Sequence, residues 1–522
     1  MTANTRFYRL IILLILIISV TVTGVQANKG DGTVSLQIIT VNDFHGALME
    51  SGKNPGAAKL ATFLASARQQ NPEGTLLLAA GDMMQGSIDS NLLYGKPVID
   101  IMNVIGVDAM TLGNHEFDWN VNLLEERINH SRFPYVCANL IDQRTGKSPG
   151  FVKPYIVVER EGIKIGIIGI ATPETAIKTN PKMIVNYIFA DPVSTVSALI
   201  PEIKEHGADL IIVLTHLDSF INKSGQVSGD AAKLAQHFPN IQAVISGHSH
   251  QVVAGMVNEV PVVQAGQYGR FIGKLEITVN AANRNVETTV ASVVAVDGSI
   301  LQADSTVMSN LEQSLKETEP IKQKVAGQTT YALEHDRNDS NETILGQWLT
   351  DTMRNNAGAE VAFYNTGGIR KGIAPGVITM GNLYEVIPFD NTICTVELTG
   401  KQIMKVLEYG LMNHKIGMVQ YSGLKVTYNS QSSPDRQIVA VMAGTGKPLE
   451  LDQVYTVAIN DFLAAGGDGF TMLQEGKKLR DTGILVRDSL ADALGKKTTI
   501  DFRGDDRWKN LSSLSYQDKK AA

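Results

Sequence analysis

Cysteine and aromatic side chains are scarce in this chain. Its 522 residues include two cysteines and three tryptophans, and only 6% are aromatic. Two thiols, Cys137 and Cys394, exclude a disulfide-stapled scaffold and are too few for a cysteine-based zinc site. They lie far apart in sequence and, on the division below, in different domains, so no structural bridge is expected. Any metal then has to be held by His, Asp and Asn. Basic runs are also missing, and the formal net charge is −7. An acidic chain without basic clusters argues against binding to nucleic-acid polymers or anionic membranes. An anionic substrate has to be attracted locally, by metal ions or by one arginine. After the N-terminal segment no apolar stretch reaches the roughly 20 residues that span a bilayer. The remaining composition, 43% hydrophobic and 19% charged, is that of a folded globular protein with length for about two to four domains.

The N-terminus reads "MTANTRFYRLIILLILIISVTVTGVQANKG". Arg6 and Arg9 make a basic start, Leu10 to Val22 an apolar core, and Val25 to Ala27 a small-residue cleavage signal. A signal peptide over 1–27 is expected, with retention as an anchor the alternative. Its removal takes two arginines and no acid, so the formal charge becomes −9. The protein is expected to be secreted, periplasmic or displayed at the cell surface, with no membrane span once the signal is cleaved.

From residue 35 to 280 one theme repeats: an apolar run, a polar cluster, then helical periodicity. The runs are "SLQIITVND", "GTLLLAAGD", "DAMTLGNHE", "IKIGIIGIAT", "ADLIIVLTH" and "IQAVISGHSH". Continuous apolarity predicts strands covered on both faces. "AAKLATFLASARQQ" and "NVNLLEERINH" are helix candidates, and "VPVVQAG" with "GKLEITVN" close the sheet in a more antiparallel pattern. A polar segment of helical spacing follows at 306–325 and reads as a linker helix or hinge. Mixed strands and helices then fill 326–505, and 506–522 reads as a frayed polar tail. The fold class is therefore α/β: a layered α/β sandwich domain over 28–305, followed by a separate α+β domain.

The polar clusters carry Asp43, His45, Asp82, Asn114, His115, His216, His248 and His250. All fall where strands end, which is where ligands gather in open α/β sheets. Imidazole, carboxylate and amide oxygen without thiolate suit two divalent ions such as Zn, Mn, Fe or Co. One carboxylate can bridge such a pair and clamp oxygens during displacement at phosphorus. Glycines precede Asp82, Asn114 and His248 and allow close backbone approach. Taken singly, each of these residues is more readily a capped or solvated strand end; together, at the ends of five successive runs, they are hard to ascribe to chance.

In order and spacing, "NDFHG", "AAGD", "GNHEFD", "LTH" and "GHSH" resemble the calcineurin-like metallophosphoesterases. Motifs of the second domain narrow the resemblance to the secreted 5′-nucleotidase family, over about residues 35–503. The resemblance implies one ion on Asp43, His45 and His250, another on Asn114, His216 and His248, and Asp82 between them. It also implies a catalytic dyad of His115 and Asp118, with a metal-held hydroxide as nucleophile. By position alone, Asp118 is equally an N-cap for the helix that follows. Glu116 reads as structural.

In the second domain, "NTGGIR" ends in Arg370, whose fork suits phosphate; the alternative is a turn with a surface arginine. "NDFLAAGGDGF" holds Phe462 and Asp468, alternatively a loop with one buried aromatic. Both stretches resemble nucleoside-binding motifs of 5′-nucleotidases, which implies that Arg370 contacts substrate, Phe462 stacks on the base and Asp468 bonds the ribose. Met418 stands where many relatives carry a second aromatic, and Tyr421 is the nearby ring expected to compensate. The arginines that several relatives carry beyond "GGIR" are missing here, which disfavours diphosphates and UDP-sugars. The reading is a small-molecule phosphohydrolase for nucleoside 5′-monophosphates. Its alternatives are a 2′,3′-cyclic phosphodiesterase with 3′-nucleotidase action, a UDP-sugar hydrolase, and a silent surface nucleotide-binding or adhesion protein. The sequence leaves oligomeric state open.

Overall fold

The computed structural model describes residues 32–513, apart from 337–341, 413–417, 430, 433–437, 445 and 498. The expected signal peptide lies outside the described residues. Among those described, no helix is long and apolar enough to cross a membrane.

All six apolar runs are strands, but they divide between two six-stranded sheets. The first runs Val286–Ala295, Phe271–Asn280, Thr33–Val41, Thr75–Ala79, Ala109–Thr111, Tyr135–Val136. The second runs Val252–Val257, Val260–Ala265, Ala243–Ile245, Leu210–Thr215, Ile163–Ile170, Tyr155–Arg160. Inner strands pair mostly in parallel, and antiparallel partners close three of the four edges, while Tyr135–Val136 closes the fourth in parallel. Successive side chains of a strand take opposite faces. Thus Leu36 and Ile38 pack with Ile165, Ile212 and Ile245 between the sheets, while Ile39 and Val41 pack outward under helices. The first domain is thus the layered α/β sandwich expected from the sequence, with its strands divided between two packed sheets. Continuous apolarity reports that both faces are covered, and is silent on whether a helix or another sheet covers them.

The helices form as their patterns predict. Gly56–Gln69 buries Leu60, Ala61, Leu64 and Ala67. Val121–His130 begins at Asn120, whose side chain accepts the Leu123 N–H at 3.1 Å, so Asp118 is not the cap. The 306–325 segment is a helix, Ser305–Lys322, docked along the first domain by buried Val307 and Leu311. Near its end Thr318 Oγ1 and Lys322 Nζ donate to Asp89, at 2.7 and 2.8 Å.

The second domain centres on a five-stranded sheet ordered Gln420–Ser422, Val361–Tyr364, Val454–Asn460, Thr392–Thr399, Lys477–Leu485. It does not stop at 505. Trp508–Asn510 pairs in parallel with Leu424–Tyr428, and buried Arg507 donates to both carboxylate oxygens of Asp351. The polar composition of the tail hides this anchor: one Trp ring lies against Tyr428, with centroids 4.5 Å apart. Cys137 and Cys394 are both buried and free.

Candidate active site

The parallel strands of the first domain deliver their polar clusters to one edge. Asp43 and His45 follow Thr33–Val41, Asp82 follows Thr75–Ala79, and Asn114 follows Ala109–Thr111. His216 follows Leu210–Thr215, and His248 and His250 follow Ala243–Ile245. Five of these, Asp43, His45, Asp82, His248 and His250, have φ between 48° and 74°. That is the left-handed region, costly for residues with a Cβ and found where the surroundings over-determine a site.

Two groups result. Asp43, His45 and His250 converge in one, Asp82, His216 and His248 in the other. In the first, the Nε2 atoms of His45 and His250 face each other at 3.0 Å, and Asp43 Oδ1 lies 3.9 and 3.3 Å from them. In the second, Asp82 Oδ2 lies 3.0 Å from His216 Nε2, at an angle that makes no hydrogen bond. Asn114 Oδ1 is buried with no hydrogen-bond partner. The outer ring nitrogens are already committed: His45 Nδ1 to Gln85 O at 2.9 Å and His216 Nδ1 to Ala80 O at 2.7 Å. With Nδ1–H donating to a carbonyl, each Nε2 presents its lone pair inward, the arrangement of a metal-binding imidazole. His248 instead turns Nε2 to Glu174 Oε2, at 3.2 Å. Buried carboxylates, inward lone pairs and an orphaned amide oxygen fit divalent cations.

The charges agree. Burial lifts the Asp82 carboxyl, but His216 and His115 outweigh it and hold it well below its ordinary value. Asp43 is likewise held down by His250 and His216 against burial. No lysine or arginine pairs with either carboxylate among the described ion pairs, and uncompensated buried charge is expensive.

Glycine and Glu116 set the position of Asp82. A Cβ on Gly113 would sit 2.2 Å from Asp82 Oδ1, so only glycine fits. Glu116 accepts the backbone N–H groups of Asp82, Met83 and Gly113 at 2.7, 2.8 and 2.7 Å. It pins the loop of Asp82 to that of Gly113 and Asn114. Burial and the neighbouring Asp82 push its carboxyl up to about 7.

His115 belongs to neither group, and its ring meets that of His45 edge-on with centroids 5.4 Å apart. Its backbone N–H donates to Asp82 Oδ1 at 2.8 Å, and its Nδ1 bonds Asp118 Oδ2 at 2.7 Å. Burial opposes charging this ring, yet Asp118 and Asp82 outweigh it and raise the imidazole above its ordinary value. With Nδ1 engaged, Nε2 is the nitrogen available to a ligand.

A cleft of about 1270 Å³ opens over these residues, and the second domain forms its other wall. Arg370, Phe462, Asp468 and Met418 all line it. Asn365 ties the two glycine-rich motifs together: its Nδ2 donates to Asp468 Oδ2 at 2.9 Å, and its Oδ1 accepts from Asn460 Nδ2 at 3.0 Å. Tyr421 does not compensate for Met418. It is fully buried, and its hydroxyl donates to Arg507 O at 2.7 Å. Strand alternation explains this, since "QYSG" pairs along Val361–Tyr364 and sends that ring into the core.

Sequence reasoning missed Phe389 and Tyr409. Phe389 stacks on the His115 ring, with centroids 5.6 Å apart and planes at 24°, and lies 5.6 Å below the Arg370 guanidinium. It sits in "IPFDN", a loop with no periodicity to mark it. Tyr409 also lines the cleft and donates to Asp468 O at 3.0 Å. Its helical spacing in Gly400–Met412 reads equally as core.

A family model for the calcineurin-like phosphoesterase matches residues 36–252, and one for the 5′-nucleotidase C-terminal domain matches residues 325–475. The chain is 30% identical to the cell wall protein Lmo0130 of Listeria monocytogenes, over 96% of this chain and 73% of that protein. It is 29% identical to a 5′-nucleotidase of Vibrio cholerae, over 91% of this chain and 93% of that one. A solved 5′-nucleotidase precursor from Thermus thermophilus superposes with a TM-score of 0.80 at 29% identity, covering 92% of this chain and 100% of that one. Two longer relatives from Bacillus subtilis are spanned over only 39% and 34% of their own length. Matched in both domains and in this order, the chain belongs to the 5′-nucleotidase family, a calcineurin-like phosphoesterase domain followed by a 5′-nucleotidase C-terminal domain.

Proposed function

We propose that this protein is an exported, metal-dependent phosphoric ester hydrolase that cleaves nucleoside 5′-monophosphates to nucleoside and phosphate. The observation that carries the reading is one cleft bounded by both cation-type groups on one wall and by Arg370, Phe462 and Asp468 on the other. As the family resemblance implies, Asp43, His45 and His250 would hold one ion and Asn114, His216 and His248 the other, with Asp82 shared between them. Divalent ions of the Zn, Mn, Fe or Co type, were they bound there, would supply water activation and charge compensation at phosphorus.

The chain's own residues do the rest. Arg370, held over Phe389, receives the phosphate with a planar pair of donors. His115, kept protonated by Asp118, donates from Nε2 to a phosphoryl oxygen or to the departing 5′-oxygen. Phe389 covers one face of that ring and excludes water from it. Phe462 stacks on the base, worth roughly 1–3 kcal/mol and tolerant of base identity, with Met418 as an adaptable second wall. Asp468 accepts from the ribose. Export rests on the basic and apolar N-terminal segment.

The test is phosphate release from a panel of 5′-, 3′- and 2′,3′-cyclic nucleotides, with and without a chelator, for wild type and His115→Ala. Release from 5′-monophosphates, abolished by chelation and by the variant, is expected. A metal-replete protein that releases nothing from any nucleotide would refute the reading.

A further inference from the structure

Across the cleft, the first domain reaches the nucleoside wall at one point of unlike charge. Lys178 closes the short helix Thr175–Lys178, and its Nζ lies 3.1 Å from Asp468 Oδ1. Two residues on, Asn180 Nδ2 donates to Asp461 Oδ2 at 2.7 Å. Asp468 is 6% exposed and its backbone is left-handed, with φ at 53°. The second carboxylate oxygen takes the Asn365 amide at 2.9 Å. The carboxylate is therefore fixed from both sides, one of them supplied by the other domain. Lys178 and Asp468 both line the cleft. No motif marks Lys178, and the chemistry proposed above does not use it.

We propose that Lys178 is a specificity-determining residue that, with Asp468, forms a cross-domain clamp on the ribose hydroxyls of the substrate. The inference rests on the nucleotidase reading and on Asp468 as the ribose acceptor. A hydroxyl is both donor and acceptor, a carboxylate offers about four acceptor sites, and an ammonium offers three donors. A ribose hydroxyl that donates to Asp468 therefore sits within reach of the ammonium already 3.1 Å from that carboxylate, and its oxygen accepts from Lys178. Both bonds are charge-assisted, which makes them short and strong. A sugar without hydroxyls leaves the ion pair intact and gains neither bond. Because the two partners belong to different domains, the sugar that satisfies both also holds the cleft closed.

The experiment is a residue-by-substrate cycle. Steady-state constants are measured for wild type, Lys178→Met and Lys178→Arg on adenosine 5′-monophosphate, on its 2′,3′-dideoxy analogue, and on p-nitrophenyl phosphate, which has no sugar. Lys178→Met should raise KM for adenosine 5′-monophosphate by about tenfold or more with kcat little changed. It should alter the dideoxy analogue and the aryl phosphate by less than about twofold. Lys178→Arg, which keeps a donor, should recover most of the loss. An equal effect on the ribose and dideoxy substrates, or none on either, overturns the clamp while leaving the hydrolase standing. An equal loss on the aryl phosphate assigns Lys178 to general integrity and also overturns it. A wild-type enzyme that cleaves the aryl phosphate but no nucleotide overturns the nucleotidase reading, and the clamp with it.

Discussion

Gly113→Ala should disable the site while leaving the fold standing. The φ of Gly113 is not positive, so alanine meets no backbone strain there. The effect is purely steric. The added Cβ would lie 2.2 Å from Asp82 Oδ1, 2.6 Å from Asp82 N and 2.8 Å from Asp82 Cγ, where real Cβ atoms essentially never come closer than 3.0 Å. Asp82 or its loop must therefore move by about 0.8 Å or more. Asp82 N is itself tied to Glu116 at 2.7 Å, and Oδ1 to His115 N at 2.8 Å, so the shift propagates to both. Overpacking of this kind costs about 1–3 kcal/mol of stability. A displacement near 1 Å at a reacting centre costs roughly a hundredfold in rate. The assay is kcat for a 5′-monophosphate alongside metal content and thermal unfolding. Expected are a modestly lowered Tm, fewer than two ions per chain and a rate down about a hundredfold. Two tightly bound ions with a rate within twofold of wild type would refute the claim that Asp82 must stand where it does.

Three further outcomes follow from the geometry. Asp118→Asn keeps the shape but removes the charge that sustains the His115 imidazolium, so kcat should fall on the order of a hundredfold with metal content unchanged. Phe389→Ala uncovers one face of His115 and the underside of Arg370; kcat/KM should fall for nucleotides and aryl phosphates alike, whereas loss of Phe462 should affect nucleotides alone. Glu342 is buried, and burial lifts its carboxyl to about 8 from an ordinary 4.5, with Arg507 3.8 Å away too distant to cancel it. A carboxyl whose pKa is raised by folding favours the folded state below 4.5 and loses that advantage as pH climbs through 8. The unfolding free energy from urea titrations should fall between pH 5 and 9 in wild type by an amount on the order of a few kcal/mol, and Glu342→Gln should flatten that fall. Parallel curves for the two proteins would refute it.

The first domain was legible in the sequence because the residues that fold it and the residues of the candidate site share one code. Parallel strands covered on both faces read as unbroken apolar runs, and their carboxyl ends are where polar side chains can converge. "GNHEFD" and "GHSH" are therefore placed at strand ends by the sequence pattern alone. The dyad was different. Asp118 by position was equally a cap, and only the structure, where Asn120 caps Val121–His130 and Asp118 turns to His115, separates the two. Phe389, Tyr409 and Lys178 were not legible. Each enters the cleft from a loop or helix end whose place is set by the packing of one domain on the other, and no local period encodes that.

The left-handed residues show where local and tertiary demands part. Asp43, His45, Asp82, His248 and His250 each adopt a backbone that a residue with a Cβ resists, at a cost of about 1–3 kcal/mol apiece. Asp and His tolerate this region better than most residues with a Cβ, but that tolerance does not impose it five times. What sustains it is the rest of the domain. His45 N and Asp43 N are held by Asp82 O and Gly81 O, His248 N by Asp43 carboxylate oxygen, and Asp82 N by Glu116. Each ligand loop thus fixes another, and the strands behind them are rigid. A site held by mutual constraint should resist mutation on its rim and fail abruptly at the pins, which is why Glu116, remote from substrate, should matter nearly as much to metal retention as the ligands themselves.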